Sequence, residues 1–206
     1  MEFVDIAGLV KGAHSGEGLG NKFLSHIRET QCFAHVIRCF EDENIIHVEG
    51  KVSPINDLET IETELILADL EVVSKRKESV QKKLRSGDKT TQKEFDILEK
   101  IQANLDSNQP VRKIDFDDND KVFLKQLQLV TSKPFFFIAN IHEDEEKNMH
   151  LAELENYARD HNLEILKVFA KAEGELIDLE QEERKEYLEM MGLKEPALNS
   201  IIRKGY

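Results

Sequence analysis

Asp5-Ile6-Ala7-Gly8 closes a short apolar run, Phe3-Val4, and opens a glycine-rich stretch that continues to Gly20. At the carboxyl end of a strand, where open α/β sheets bind their ligands, an Asp can hold a magnesium-bound water. A Gly beside it lets its amide approach a terminal phosphate, because no side chain intervenes. The same two residues also shape ordinary turns, so the pair alone is a weak signal. His47 lies between Ile46 and Val48. Its imidazole can position or polarise an attacking water near neutral pH, although its apolar neighbours equally suit a structural histidine. Asn140-Ile141-His142-Glu143 follows directly on the apolar run Phe135-Phe136-Phe137-Ile138-Ala139. Its position suits a ligand-facing turn, and its acids through Glu146 equally suit a solvated helix start. Neither His-Glu-x-x-His nor Cys-x-x-Cys occurs, which disfavours a standalone metalloenzyme. Gly50-Lys51 is followed by Val52 and has no Gly at the upstream spacing, so the chain carries no Gly-x-x-x-x-Gly-Lys-Ser/Thr phosphate loop.

The elements around these residues alternate. Phe3-Val4 reads as a strand end, Leu19 to Arg28 has helical apolar spacing, and the compact run Phe33 to Phe40 suits a buried strand. From Ile55 the texture changes: Leu58, Ile61, Leu65, Ala68 and Val72 recur every three or four residues along a long charged helix to Arg85. Ser86-Gly87-Asp88 interrupts it, and Phe95, Leu98, Ile101 and Leu105 mark a second helix before Pro110. The pair predicts an antiparallel helical hairpin. A helix over 121–130 then leads to the strand 135–139, a run apolar enough to be buried on both faces. Helix 151–161, strand 165–170 and helices near 182–191 and 196–203 complete an α/β layer interrupted by a helical arm. Cys32 and Cys39, at opposite phases of one strand, point to opposite faces and cannot pair with each other.

The continuous segment from Asp5 to Leu24 resembles switch II of the Obg-related GTPases, and more closely that of the YchF/Obg-like ATPases. Phe40-Glu41-Asp42-Glu43-Asn44-Ile45-Ile46-His47-Val48 resembles the segment holding that family's proposed catalytic histidine, which makes His47 the catalytic candidate. By the same resemblance Asp5 holds Mg2+ through a water and Gly8 meets the γ-phosphate. Leu9 stands where Ras-like proteins place a water-orienting Gln. Asn140, Ile141 and Glu143 fall where guanine readers carry Asn-Lys-x-Asp. The longer Glu143 and the missing Lys imply ATP, or tolerance of both purines. Phe169-Ala170-Lys171 is similar to a short base-contacting loop, with Phe169 replacing a usually small residue. The tail from Leu193 to Tyr206 resembles the family stretch that leads into a small β-rich TGS domain.

The resemblance spans essentially the whole chain. It implies an α/β, incomplete P-loop NTPase (G-domain) sheet with an inserted antiparallel α-helical coiled-coil hairpin. The implied division is a partial nucleotide-binding domain over 1–54, the coiled-coil insert over 55–131, and the remaining nucleotide-binding domain over 132–206. The implied cofactor is Mg2+ with ATP or GTP, and the implied partner is the ribosome. The chain would begin at switch II, without phosphate loop, switch I, first two strands or TGS domain, and would hydrolyse negligible nucleotide alone. Loss of the first strand, which in that family's sheet lies between the strand ending at Asp5 and the one containing Val36, would leave two edges without their ladder partner and an aggregation-prone chain. A non-catalytic interaction module built on the hairpin is the alternative, with Lys75, Arg76, Lys77, Lys82, Lys83 and Arg85 as a basic stretch for rRNA.

Composition sets outer bounds. The 206 residues suffice for a core of one or two domains. Lys+Arg of 28 against Asp+Glu of 41 leaves a charge of -13, which repels phosphate backbones and anionic membranes, so DNA is not expected as a partner. With neither signal peptide nor membrane span in the sequence, a cytoplasmic location is expected.

Overall fold

In the computed structural model, residues 2–6, 19–45, 47, 50–85 and 91–205 are described. They divide into two compact units, one from residues 32–58 and 135–206, the other from residues 2–31 and 59–134.

The first unit is built on β2 (Phe135–Asn140), the central strand of a three-stranded sheet. It pairs in parallel with β1 (Phe33–Arg38) on one side and β3 (Ile165–Val168) on the other. Successive side chains of a strand point to opposite faces. Phe137 and Ala139 therefore pack with Ile37, Cys39, Ile141 and with Leu154 and Ala158 of α5 (Leu151–Asp160). Phe136 and Ile138 pack on the other face with Val168 and with Ala197 of α8 (Ala197–Gly205). A parallel sheet covered on both faces needs a strand that is apolar throughout, which is why Phe135 to Ala139 shows no alternation. The two cysteines obey the same geometry: Cys39 lies in the first cluster, Cys32 packs against the second, and both are free thiols. Between β3 and α8 come α6 (Ala170–Glu175) and α7 (Gln181–Met190), the latter opened by a reciprocal capping box between Glu180 and Glu183.

The second unit is helical. It holds α1 (Leu19–Glu29), most of α2 (Pro54–Arg85), α3 (Gln92–Asp106) and α4 (Asp118–Leu127). Ile66, Val73 and Val80 recur every seventh residue of α2 and share one core with Ile97, Leu98, Ile101 and Leu105 of α3 and Phe123 and Leu127 of α4. A polar knot closes this core. Asp69, fully buried, accepts from Val130 N at 2.9 Å, Thr131 N at 2.7 Å and Thr131 Oγ1 at 2.7 Å. Thr131 Oγ1 in turn accepts from Val111 N at 3.1 Å. Lys133 donates to the carbonyl of Arg28 at 2.7 Å and to that of Thr30, placing a cation where α1 leaves its last carbonyls unpaired.

The α/β class and the doubly covered central strand agree with the sequence reading, and three local expectations are corrected. Residues 2–6 form no regular structure, and Phe3 and Val4 are 54% and 50% exposed, so the strand end expected there is not formed. The strand expected over 165–170 stops at Val168, because Ala170 already opens α6. The helix expected over 121–130 runs from Asp118 to Leu127: Asp117 caps it early by accepting from Asp120 N, and Gln128 ends it in the left-handed conformation.

Candidate functional site at the carboxyl rim of the sheet

All three strands of the first unit run the same way, so their carboxyl ends share one rim, where open α/β sheets hold ligands. Arg38, Asn140 and Val168 stand side by side there in register. Two main-chain bonds carry the ladder into the loops: Cys39 N donates to Asn140 O and Ile141 N to Val168 O, each at 3.0 Å. The Asn140–Glu143 segment and the Phe169–Lys171 segment therefore leave the sheet as neighbours.

Arg38 organises the loop after β1. Its guanidinium donates to the carbonyls of Phe40 at 3.0 Å, Asp42 at 3.2 Å and Ile45 at 2.9 Å, and it stacks over the Phe40 ring at 4.8 Å. Asn44 donates its amide to Asp42 Oδ1 at 2.9 Å, which, with the nearby Lys147 and Arg38, holds that carboxyl below its usual range. Beyond this knot, His47 Nε2 sits 3.1 Å from Asp57 Oδ2 in the first turn of α2. His47 O accepts from Gly50 N at 3.0 Å, and Gly50 has a positive φ of 73°, a conformation that glycine adopts without strain. Arg38, Asp42, His47, Lys51 and Lys147 contribute to the wall of a cavity of about 780 Å³.

Asn140 is half-buried, and Ile141 is 7% exposed, its side chain in the core. Glu143 is exposed; burial, helped by the Glu143 and Glu175 carboxylates, pushes the Tyr187 phenol of α7 upward. Ala170 and Lys171 are exposed at the start of α6, while Phe169 packs against the sheet core, which accounts for a large residue in that position. Asn140, Ile141, Glu143, Ala170 and Lys171 thus share one rim. His47 belongs to the loop after β1 and lines the cavity, whereas the other five do not. Asp5 is exposed in the helical unit, and Gly8 and Leu9 lie outside the described residues. Among the described residues no group of three His, Cys, Asp or Glu is arranged to hold a metal ion.

Sequence reading passed over Arg38, Asp57 and Asn148. Arg38 had a signal, a cation at the carboxyl end of a strand. Asp57 and Asn148 had none, because their partners are ten and six positions away on differently oriented segments.

No protein-family profile matches the chain. A ribosome-binding ATPase YchF of Bacillus subtilis (strain 168) is 47% identical over 210 residues, which takes in 100% of this chain and 57% of that protein. The ribosome-binding ATPase YchF of Escherichia coli O157:H7 is 46% identical over 207 residues, with the same coverage of 100% and 57%. Among solved structures, a YchF GTPase of Schizosaccharomyces pombe superposes with a TM-score of 0.79 at 31% identity, covering 93% of this chain and 53% of that one. The chain thus spans a little over half the length of the relatives it matches.

Proposed function

The chain belongs to the YchF family, and from that membership we propose that it forms the middle and rear of a nucleotide-binding domain in an ATP-hydrolysing, ribosome-associated switch protein, with GTP as a second substrate. The observation that carries this reading is the adjacency of Asn140–Glu143 and Ala170–Lys171 at one sheet rim, the arrangement expected of two segments that grip a purine from its edge and its side. Asn140 and Glu143 read the base, Glu143 in place of the shorter Asp that favours guanine. Ile141 anchors the segment in the core. Ala170 and Lys171 contact the base through their backbone. His47, its ring steadied by Asp57, orients the attacking water, since Leu9 offers no group to do so. Gly8 meets the γ-phosphate.

Asp5 meets Mg2+ through a water. An exposed carboxylate suits that role, because Mg2+ keeps several waters and takes its remaining ligands from nucleotide phosphates. When bound, the ion neutralises charge on the phosphates. The chain itself has no phosphate-loop Lys or amide cradle, so it should bind nucleotide weakly and turn it over negligibly. The setting is the cytoplasm; no helix among the described residues is long and apolar enough to cross a membrane.

Titration of the isotope-labelled chain with Mg-ATP tests the reading. Backbone amide shifts should concentrate at Asn140, Glu143, Ala170 and Lys171, and shifts confined to the helical unit would refute it. Radiolabelled ATP turnover should stay at the buffer blank.

A second reading, a ribosome-docking arm formed by α2 and α3 as a coiled-coil hairpin over 55–131, draws on the exposed Lys82 and Arg85 at the end of α2. Of the other cations in that stretch, Lys75 pairs with Glu71, Arg76 with Glu94 and Lys77 with Glu99, which weakens their call on phosphate. Charge reversal at Lys82 and Arg85 should reduce co-sedimentation of the chain with ribosomes; undiminished co-sedimentation would exclude the arm.

A further inference from the structure

The loop from Ile141 to Asp144 leaves the sheet after two last ladder bonds, Cys39 N to Asn140 O and Ile141 N to Val168 O, yet it must hold Glu143 steady to discriminate one purine from another. Glu143 is exposed and does not lock itself in place by burial. What holds the loop is Asn148. Its Oδ1 accepts from His142 N at 2.7 Å, and its Nδ2 donates to His142 O at 2.8 Å and to Asp144 O at 3.4 Å. A side-chain amide that both accepts from and donates to one residue's backbone reproduces the pairing of a neighbouring strand. It extends the sheet's order one residue past Ile141, to His142, and brackets Glu143 between two held carbonyls, those of His142 and Asp144.

Asn148 is itself anchored. Its own N–H donates to Glu145 O at 3.1 Å and its carbonyl accepts from Leu151 N at 3.2 Å, tying it to the start of α5, whose Leu154 is fully buried. The flanking residues fix it to the loop after β1: Glu41 N donates to Lys147 O at 3.1 Å, and His150 N to Cys39 O at 3.4 Å. His150 Nε2 adds a contact to Glu41 Oε1 at 2.8 Å. Within the loop, Asp144 N donates to His142 Nδ1 at 3.0 Å, so the His142 ring is held as well as its backbone.

We propose that Asn148 is a specificity-determining positioning residue, which clamps the segment carrying Glu143 in the pose that separates adenine from guanine. The proposal rests on the base-reading role given above to Asn140 and Glu143. A clamp of this kind touches no nucleotide; it lowers the number of poses Glu143 can adopt, and selectivity follows from that restriction.

Asn148→Ala removes both halves of the clamp, and Asn148→Asp keeps the acceptor for His142 N while losing the donors to His142 O and Asp144 O. Amide exchange and AMP and GMP titrations are followed by NMR on the full chain, with the Phe137 amide, bonded to Glu164 O, as the control for an intact sheet. In Asn148→Ala, exchange at His142 should accelerate about tenfold, and the AMP-to-GMP affinity ratio should fall about threefold or more. In Asn148→Asp, His142 should stay protected while the ratio still falls. Faster exchange with an unchanged ratio, or unchanged exchange, overturns the clamp alone. A wild-type chain that responds to neither nucleotide overturns the base-reading role and the clamp together.

Discussion

Cys39 and Cys32 are the same residue type one strand apart, and their surroundings make them chemically different. Cys39 is fully buried in the sheet core, and burial, helped by the Glu155 carboxylate, pushes its thiol up to about 12. The thiolate is the nucleophile, so raising the pKa keeps Cys39 protonated throughout the neutral and mildly alkaline range. Cys32 is also shifted upward by burial, but it is only half-buried. A disulfide-exchange reagent at pH 8 should therefore titrate Cys32 in the folded chain, with Cys39 reacting only after denaturant is added. Raising the pH from 7 to 9 should not by itself bring Cys39 into reach. At His47 the environment acts by orientation. Replacing Asp57 with Ala should change the nitrogen shifts of the His47 ring while lowering stability by about 1 kcal/mol or less, since the pair is partly exposed.

At the scale of elements, the buried carboxylate on α2 does what a shorter or apolar residue could not. Asp69 terminates three donors that the turn Val130–Ser132 presents just before β2. Asp69→Ala would bury Val130 N and Thr131 N without partners and should cost about 3 kcal/mol in denaturant unfolding. Thr131→Val, which breaks the bonds to Asp69 and from Val111 N while leaving the carboxylate two donors, should cost about 1–2 kcal/mol. Gly50 presents a different constraint. Space around it is open, but its φ of 73° strains any L side chain, so Gly50→Ala should cost about 1 kcal/mol and loosen the turn that carries His47.

At the scale of the molecule, the sheet has an open side. Among the described residues β1 pairs only with β2, and Val36 on it is 68% exposed. An unpaired ladder beside an apolar side chain is a template for association with another strand. Val36→Lys should leave the melting temperature within a degree or two of wild type and reduce concentration-dependent aggregation measured by light scattering. Unchanged aggregation would place the sticky surface elsewhere.

What the sequence determined by itself is what periodicity and composition encode locally. The unbroken apolar run at Phe135 to Ala139 announced a strand covered on both faces, the phase of Cys32 and Cys39 announced opposite faces, and the three-to-four spacing after Ile55 announced a long helix. Each follows from the pitch of a strand or helix and needs no partner to be known. The segment Asn140–Glu143 was legible for the same reason, since it abuts a recognisable strand. Only the tertiary structure decided that Asn140–Glu143 and Ala170–Lys171 leave the sheet side by side, that Arg38 threads the loop before His47, and that Asn148 grips His142. Those are contacts between segments distant or differently turned along the chain. The geometry of a hydrogen bond, unlike the pitch of a helix, leaves no periodic mark in the order of residues.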